Sequence, residues 1–418
     1  MSADSAVDVV IIGGGPAGLT LAHELATTHD LSVVVYDREQ QAGGIPRHSK
    51  HLGYGVRDLH LIFSGPAYAE RLVNRAVKAG VVVHTGSSVT QVTSVEGTHE
   101  IRGVDGNGTF HMTATAVVLA TGVRERPRTA RVIPGSRVQG VYTTGELQQS
   151  VFIHHQSIGQ RAVVLGAEHV SYSAVMTLAH AGVKTAALIT PWRKHQTWRI
   201  AHLFARLRYR FTVKTNAYIT DIIGSDRVTA VEVTYRNGQK ELVACDVVVC
   251  SGDWIADHEL AMRMGVEMSK ESTGPAVDTA ARTSRAGVFA IGNLVHPAIP
   301  ADAVALNARA IADGVAHYVG YGKWGTGIDV AVSDPFSYVW PQRVVPNEMP
   351  ANNRFILWAQ DFARASQVVV RQGDRELARA TVKPDGVIPA RHLWIDGTWV
   401  TQVDPAGPRI TISLLPSY

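Results

Sequence analysis

A glycine-rich turn near the start of the chain constrains the fold more than any other feature of the sequence. Residues 13–18 read GGGPAG and contain the spacing GxGxxG. They follow an apolar run at 9–12 that predicts a strand, and they open a predicted helix at 15–27 that leads to a second strand at 31–36. This order predicts a right-handed βαβ unit, and hence a parallel sheet in an α/β fold.

The three spaced glycines have separate roles in a dinucleotide-binding unit. Gly13 permits the tight turn, Gly15 lets the backbone approach a pyrophosphate, and Gly18 allows the helix to pack closely on the strands. Amides at the helix N-terminus then bind the phosphates. Asp37 ends the second strand, where a carboxylate accepts a hydrogen bond from a ribose hydroxyl, and Glu39 is the alternative for that role.

A second βαβ unit is predicted further along the chain. Apolar strands at 162–165 and 185–189 flank a turn at Gly166 and a helix through 173–180. From about residue 328 the pattern changes to short alternating runs between Gly, Pro and Asp turns, which is typical of strands. These runs lie at 355–358, 367–371, 377–382, 394–403 and 410–415.

We expect three domains, because 418 residues exceed one ordinary core. An apolar strand at 287–293 and a helix-forming stretch at 303–319 return to the first domain, which is therefore discontinuous. The expected domains cover 1–125 with 275–327, 126–274, and 328–418.

Composition excludes several classes of protein. Hydrophobic residues make up 45% of the chain and charged residues 18%, which indicates a folded protein. The net charge of +4 is small for this length and does not indicate nucleic-acid binding. No run reaches the ~18 apolar residues of a membrane helix, so we expect a cytoplasmic protein without a membrane partner. Cys245 and Cys250 match neither CxxC nor a metal-ligand spacing, and we predict no metal.

Further motifs make the chain resemble the FAD-dependent pyridine nucleotide-disulfide oxidoreductase superfamily. They are Gly43-Gly44 beyond the acid, the sequence ATG at 120–122 and the sequence GVFAIGN at 287–293, and the resemblance covers about residues 7–325. It implies FAD as the cofactor and an α/β fold with two Rossmann-like domains, as in glutathione and thioredoxin reductases, before the small β-rich C-terminal domain. Within the superfamily, the chain is similar to the FAD subunits of opine, sarcosine and cyanide-forming glycine dehydrogenases.

The resemblance also implies which residues bind FAD. Asn293 stands where the family usually has an Asp that bonds the ribitol, and an amide both donates and accepts hydrogen bonds. A helix from about Pro300 would aim its N-terminal amides at the flavin N1 and C2 carbonyl. The predicted FAD-binding residues are Gly13, Gly15, Pro16, Ala17, Gly18, Asp37, Arg38, Gly44, Ile45, Arg47, Val89, Ala120, Thr121, Gly122, Gly292, Asn293, Ala301 and Ala303.

The turn of the second βαβ unit is degenerate. It reads GAEHVS at 166–171 and keeps only the first glycine. Glu168 would obstruct and repel a pyrophosphate, which predicts a weakened or lost NAD site. Against this, Arg193 and Lys194 follow the second strand, where NADP-using relatives place basic residues for the 2′-phosphate. NADPH therefore remains an alternative.

Basic residues surround the segment that, by resemblance, passes toward the flavin. They are Arg47, His48, His51, Arg57 and His60. A histidine in this place would serve as an acid or base, and His296 lies near the expected flavin edge. We predict Arg47, His48 and His296 as the catalytic residues.

The resemblance implies oxidation of an amine, an amino acid or a related small metabolite, with hydride passing to flavin N5. Such subunits typically work in complexes, so we expect a second flavoprotein and a small iron-sulfur protein as partners. The chain has no CxxC, which excludes the internal dithiol chemistry of disulfide reductases. Two alternatives stay open: an NAD(P)H-dependent reductase that feeds a partner, and a non-catalytic FAD-bearing relay or scaffold subunit.

The stretch 192–210 interleaves arginines with aromatic residues. It predicts either a docking face for an acidic partner or a solvated amphipathic helix, and the sequence favours neither.

Overall fold

The computed structural model describes residues 6–95, 97–296, 298–325, 327–364, 367–382 and 386–415. They divide into two compact units. The first unit holds the described residues of 1–47, 53–123 and 256–418, and the second holds 48–52 and 124–255.

The glycine turn lies in the first stretch of the chain, between a strand and a helix. In chain order the elements of this stretch are β1 (Ala6–Ile12), α1 (Pro16–Thr28), β2 (Val33–Tyr36), a 3-10 helix (Ile45–His48), β3 (Leu52–Tyr54), β4 (Phe63–Ser64), α2 (Gly65–Lys78), β5 (Val82–His84), β6 (Ser88–Val95), β7 (Thr98–Asp105), β8 (Gly108–Leu119) and β9 (Val123–Glu125).

The middle stretch carries the second βαβ unit. Its elements are β10 (Val141–Thr143), α3 (Thr144–Phe152), β11 (Arg161–Leu165), α4 (His169–His180), β12 (Lys184–Ile189), α5 (Arg199–Tyr209), β13 (Thr212–Lys214), β14 (Ala217–Gly224), β15 (Val228–Tyr235), β16 (Lys240–Ala244), β17 (Val247–Cys250) and β18 (Trp254–Ala256). In the second unit, β10, β17, β11, β12 and β13 form a parallel sheet, and β14–β16 form an antiparallel one.

The last stretch returns to the first unit and continues into the β-rich region. Its elements are α6 (Glu259–Arg263), β19 (Val288–Ala290), a 3-10 helix (Gly292–Leu294), α7 (Ala301–Ala310), α8 (Ala312–Tyr321), β20 (Ile328–Val332), β21 (Phe336–Trp340), β22 (Arg343–Val344), a 3-10 helix (Ala351–Asn353), β23 (Arg354–Ala359), β24 (Gln367–Gln372), β25 (Arg375–Thr381), β26 (Leu393–Asp396), a 3-10 helix (Thr398–Gln402) and β27 (Ile410–Leu415).

One sheet of the first unit brings the residues of the candidate site to one edge. Its strand order is β5-β2-β1-β8-β7-β6, with β19 beside β8. The strands β5, β2, β1, β8 and β19 are parallel. The valines of β2, residues 9–12 of β1, residues 116–119 of β8 and all of β19 are buried, as in α/β sheets generally, whereas Val82 on the edge strand β5 is 48% exposed. Ile12 pairs with both Tyr36 and Leu119, and Leu119 pairs with Ala290. The residues that follow these four strands therefore leave the sheet at the same edge, where ligands of open α/β sheets bind.

The C-terminal strands form two sheets that share one core. Their orders are β22-β20-β27-β24-β25 and β21-β23-β26. Side chains of both sheets enclose Trp399, whose ring stacks on Phe355 with centroids 4.6 Å apart. The predicted fold class, two dinucleotide-binding α/β folds with a β-rich C-terminal region, is confirmed. The three-domain division stays a prediction, since one compact unit holds both the dinucleotide sheet and the C-terminal strands.

The long strand β8 pairs with β7 in its first half and with β1 in its second half. Two local predictions are corrected by the structure. The stretch 303–319 is two helices, which meet at Ile311. The run 394–403 is a strand only as far as Asp396 and then a 3-10 helix. Among the described residues, no helix is long and apolar enough to cross a bilayer.

Arg282 forms a buried ion pair and also contacts the C-terminal region. Its Nε donates to Asp278 Oδ2 over 2.7 Å, and both side chains are almost fully buried. The same guanidinium donates to the carboxylate of Glu348, which follows β22. A second link to this region is the Gln342 side chain, whose Oε1 accepts a hydrogen bond from the Val277 backbone amide over 2.9 Å.

We predict that Arg282→Met lowers the free energy of unfolding by about 3–5 kcal/mol, because it leaves a buried carboxylate without its partner. The double variant Asp278→Asn with Arg282→Met removes both charges and recovers part of this loss. Urea unfolding followed by tryptophan fluorescence measures both. Arg379→Met is the matched control, because Arg379 pairs with Glu376 on the surface. Equal losses for Arg282→Met and Arg379→Met would contradict the assignment.

Candidate functional site

The glycine turn is held in its shape by backbone contacts that leave no room for side chains. Gly13 has φ +114°, and a Cβ at this position would lie 2.3 Å from the carbonyl oxygen of Ala120. A Cβ on Gly18 would lie 2.0 Å from the carbonyl oxygen of Gly13. The Gly13 amide donates to the Tyr36 carbonyl over 2.8 Å. These contacts fix the start of α1 against the edge of the sheet.

Gly15 differs from its neighbours because the space beside it is open. It is the N-cap of α1, with φ −82°, a backbone conformation that any residue adopts. A Cβ at Gly15 would meet no protein atom within 4 Å. Pro16 follows at the first helical position and has no amide hydrogen to lose there. The first amides of α1 thus lie beside open space, as phosphate binding at a helix N-terminus requires.

Asp37 lies directly against this turn. Its Oδ2 accepts the Gly14 amide over 2.9 Å, and its Oδ1 accepts the Glu39 amide over 2.8 Å. The carboxyl group is buried, and burial raises its pKa from the ordinary value. Each oxygen keeps a further lone pair for a ribose hydroxyl. Glu39, the alternative, is exposed on the loop beyond.

The glycine pair Gly43-Gly44 packs against the glycine turn at 13–18. The Gly43 amide donates to the Gly14 carbonyl over 2.7 Å, and a Cβ on Gly44 would lie 3.0 Å from the Gly15 Cα. Next to them, Ile45 is 46% exposed and Arg47 is nearly covered. The Arg47 Nη2 contacts Glu39 Oε2 at 3.4 Å, whereas its buried Nε has no hydrogen-bond partner among the described residues. This donor suits a ligand anion or carbonyl.

The segment after β8 is anchored by Asp257, which was not among the predicted site residues. The Thr121 hydroxyl donates to the Asp257 carbonyl over 2.6 Å, and the Asp257 amide donates to the Gly122 carbonyl over 2.9 Å. The Asp257 carboxylate pairs with Arg38 at 2.9 Å. Arg38 therefore lies at this edge with its charge compensated. No local motif indicates Asp257, because its partner Thr121 is 136 positions away.

The motif at 287–293, which contains β19, also lies against the start of α1. Gly292 has φ +73°, and its Cβ would lie 3.0 Å from the Cβ of Ala17 on α1. Asn293, the predicted ribitol ligand, uses its side chain within its own loop: Oδ1 accepts the Ile299 amide over 3.1 Å and Nδ2 donates to the Ile299 carbonyl over 3.4 Å. One amide hydrogen and one lone pair remain for a ligand. Asn293 as a ribitol ligand stays a prediction.

The helix α7 begins with a buried acid that was also not predicted. Between Ala301 and the buried Ala303, Asp302 accepts from the Arg57 amide over 3.1 Å and from its guanidinium over 2.8 Å. A carboxylate in the first turn favours the helix, and Arg57 compensates its charge. A signal for this pair is present in the sequence, since Arg57 belongs to the basic cluster and Asp302 to the predicted helix start.

His296 is enclosed by C-terminal aromatic rings. Its imidazole stacks on Trp358, with centroids 5.8 Å apart, and meets Trp340 edge-on at 5.3 Å. The preceding carbonyl, of Val295, accepts a hydrogen bond from the Tyr338 hydroxyl. The β-rich region therefore fixes the loop that carries His296. Pro297 lies outside the described residues.

The remaining predicted residues belong to other segments of the chain. His48 is buried at the end of the first 3-10 helix and belongs to the second unit. His51 is half-buried, and His60 is exposed with φ +54°. Val89 on β6 packs against the main core of the first unit. The described residues contain no cluster of three or more His, Cys, Asp or Glu that would hold a metal ion.

In the first unit, the motifs Gly43-Gly44, 120–122 and 287–293 thus lie around the N-terminus of α1. This region contains the open amides of α1, the buried acid Asp37 beside them, the buried Nε donor of Arg47 and glycine contacts that a side chain would prevent. This donor set fits FAD, whose pyrophosphate requires the amides and whose adenosine ribose requires the acid.

Comparison with known proteins decides the family. Residues 7–314 match the family model described as pyridine nucleotide-disulphide oxidoreductase. The chain belongs to this family. It is an FAD-dependent oxidoreductase, as the sequence motifs implied.

Two relatives and one solved structure show how far the likeness extends. An opine oxidase subunit of Rhizobium meliloti is 27% identical over 321 residues, which are 68% of this chain and 58% of that protein. Ferredoxin–NADP reductase of Salinispora arenicola is 25% identical over 347 residues, 80% of this chain and 97% of that protein. The crystal structure of T. acidophilum thioredoxin reductase superposes with a TM-score of 0.64 at 22% identity, covering 76% of this chain and 99% of that one. The chain spans about three fifths of the length of the opine oxidase relatives.

In the second unit, the turn that corresponds to the FAD turn is filled by protein side chains. Glu168 is the N-cap of α4, and its Oε1 accepts the Ser251 hydroxyl over 2.7 Å. A Cβ on Gly166 would lie 2.5 Å from the Ser171 Oγ and 2.7 Å from Glu168 Oε2. Ser171 and Ser251 also bond to each other over 3.1 Å. The surroundings of Gly166 therefore hold a carboxylate and two hydroxyls, and Glu168 stands at the helix start where the first turn has Gly15.

A second carboxylate, Glu125, is buried close to this turn. Its Oε2 accepts the Gly145 amide over 2.8 Å, in the first turn of α3, and its Oε1 accepts the Gly252 amide over 3.2 Å. Burial raises the pKa of Glu125 to about 7, and the charge of Glu168 contributes to this rise. Two acids beside one glycine turn make it a poor site for a phosphate.

We predict that Gly15→Ala leaves the protein folded but weakens FAD binding by at least about tenfold, a loss of about 1.4 kcal/mol. The new methyl group meets no protein atom, so it collides only with the cofactor. Apoprotein melting temperature and FAD titration by flavin fluorescence separate the two effects. Gly106→Ala is the matched control, since its Cβ also meets open space. FAD affinity equal to that of the unaltered protein would show that the cofactor does not lie beside Gly15.

We predict that Glu125 makes the second unit less stable as pH rises. Because its native pKa of about 7 exceeds the ordinary value of 4.5, its stabilising effect is complete below pH 4.5 and is lost as pH rises through about 7. Glu125→Gln removes this dependence. The melting temperature of the variant, measured relative to the unaltered protein, therefore rises as pH increases from 4.5 to about 7. The rise is equivalent to about 3 kcal/mol in the free energy of unfolding. Scanning calorimetry at several pH values measures the difference. The exposed Glu70→Gln is the control, and a flat difference for Glu125→Gln would refute the buried-acid assignment.

Proposed function

We propose that this chain is the FAD-binding subunit of a dehydrogenase that oxidises an amine or amino-acid-type metabolite and passes the electrons to a partner protein. The observation that supports the proposal is the second turn, where Glu168 stands at the helix start that matches Gly15 and accepts a hydrogen bond from Ser251. Electrons then enter the flavin from a substrate and not from NAD(P)H.

The route out of the flavin also differs from that of disulfide reductases. The two cysteines, Cys245 and Cys250, are buried in the second unit and form no disulfide. Burial raises the pKa of the Cys250 thiol to about 11, so it is protonated and unreactive at neutral pH. The proposal therefore assigns the acceptor role to another protein, expected to be a second flavoprotein with a small iron-sulfur protein.

The names of two relatives fit the proposed class of substrate, although they describe those proteins and not this chain. One group of relatives is named as a subunit of an opine oxidase, which fits both an amine-type substrate and a multisubunit enzyme. The chain covers only part of those relatives, so the substrate and the partners are proposals.

Bound FAD supplies the two-electron redox chemistry, by accepting a hydride equivalent from a substrate C–H bond. In the proposal, the open α1 amides and Asp37 hold its phosphates and ribose, and the Arg47 Nε donates to the cofactor or substrate. His296 is proposed to accept the substrate proton, because two tryptophan rings fix the orientation of its imidazole. His48 keeps its predicted catalytic role as a proposal.

A specific observation favours a second candidate. The ferredoxin–NADP reductase relatives match nearly their whole length, and Arg193 and Lys194 follow β12 as in NADP-using proteins. This candidate is an NAD(P)H-dependent reductase that feeds a partner. A non-catalytic FAD-bearing relay subunit is the third.

Anaerobic mixing distinguishes these functions. We expect that NADPH and NADH leave the flavin absorbance of the purified protein unchanged over seconds, whereas an amine or amino acid bleaches it. Rapid bleaching by NADPH would establish the reductase instead. Bleaching by substrates only after the partner subunits are added would establish the relay subunit. If neither class of donor bleaches the flavin under any of these conditions, the dehydrogenase proposal fails.

A further inference from the structure

The helix α5 of the second unit, Arg199–Tyr209, is fixed on the protein by one face. Ala205 is its buried residue, and the His202 Nδ1 lies 2.6 Å from the Tyr172 hydroxyl. The His202 ring also stacks on His195, with centroids 3.8 Å apart, and meets Phe211 edge-on. These contacts set the rotation of the helix about its axis.

The opposite face of α5 is apolar and exposed to solvent. Ile200 is 86% exposed, Leu203 60%, Phe204 68% and Leu207 71%. Their spacing of three, four and seven positions places them in one stripe along the helix. A stripe of four large apolar side chains in water is unfavourable unless something covers it.

The flanks of this stripe carry positive charge alone. Arg199 and Arg206 lie on one side and Arg208 on the other, with Arg210 at the C-cap. The helix contains no Asp or Glu, and neither Arg199, Arg206 nor Arg210 forms an ion pair within the described residues.

We propose that α5 is a peripheral attachment site for an anionic lipid surface. An apolar stripe between arginines is the pattern of helices that lie in the membrane interface, with the apolar face among the acyl chains and the cations at the headgroups. Such attachment requires no spanning helix, so the proposal replaces the expectation of no membrane partner, which was drawn from the lack of a spanning segment. It is independent of the reaction that the flavin performs.

Charge favours an anionic lipid surface over a protein as the occupant. A layer of anionic headgroups presents phosphates to the arginines on both flanks at once, along the roughly 16 Å of the helix. The stripe itself carries no hydrogen-bonding side chain, which suits the acyl-chain region beneath the headgroups. A second copy of this chain is disfavoured, because a symmetric contact would oppose arginines with arginines.

Vesicle co-sedimentation of the FAD-loaded full chain tests the proposal. We expect binding to vesicles of equal parts phosphatidylglycerol and phosphatidylcholine, and at least about tenfold weaker binding to phosphatidylcholine alone or to the anionic vesicles at high salt. Leu203→Ser with Phe204→Ser should abolish binding, and Arg206→Glu with Arg210→Glu should weaken it at least about tenfold. Flavin absorbance and melting temperature confirm that each variant is folded.

The matched control is Leu242→Ser, which removes a leucine that is 66% exposed on β16 of the same unit and should leave binding unchanged. The proposal is overturned if the unaltered protein does not bind anionic vesicles, or if the α5 variants bind as well as it does. It is also overturned if those variants convert an oligomer of this chain to a monomer, or release a partner subunit while vesicles stay unbound. Conversion of an oligomer to a monomer would identify a second copy of this chain as the occupant. Release of a partner subunit would identify another protein.

Discussion

The contact between the Gly13 turn and the end of β8 is the constraint on which the FAD site depends. With only a hydrogen on Gly13 and Gly18, α1 starts directly against the edge of the sheet, within reach of the Ala120 carbonyl. The parallel register then delivers Asp37, Thr121 and Gly292 to the same edge. A methyl group at either glycine would separate the helix from the sheet. Asp37, Thr121 and Gly292 would then no longer lie around the N-terminus of α1.

The same supersecondary unit occurs twice and has diverged in its chemistry. The first turn keeps open space at Gly15, whereas the second places the Glu168 carboxylate at the matching helix start and bonds it to Ser251. The backbone of the second unit is still that of a dinucleotide fold, with a parallel sheet and a helix after the glycine. The two units therefore share an architecture and differ in the side chains at the turn, and likeness to a thioredoxin reductase structure shows the fold alone.

Much of this arrangement follows from local sequence patterns. The glycine spacing, the acid after β2 and the obstructing Glu168 predict the α/β class, the FAD turn and the altered second turn, because each effect acts over a few residues. Asp257 could not be found in this way, since its partner Arg38 is more than two hundred positions away. For Asp302 the basic cluster and the helix start are visible in the sequence, but their pairing across a similar separation is not. Nor does periodicity show that Trp340 and Trp358 enclose His296, because that contact depends on how the C-terminal strands pack.

We infer that only one of the two dinucleotide folds in this chain binds a dinucleotide. Equilibrium dialysis of the FAD-loaded protein against NADP⁺ and NAD⁺, with nucleotide content measured by chromatography, tests it directly. We predict one FAD per chain and no nicotinamide dinucleotide above the level in the outer buffer. Saturable retention of either nicotinamide dinucleotide beside FAD would contradict this claim.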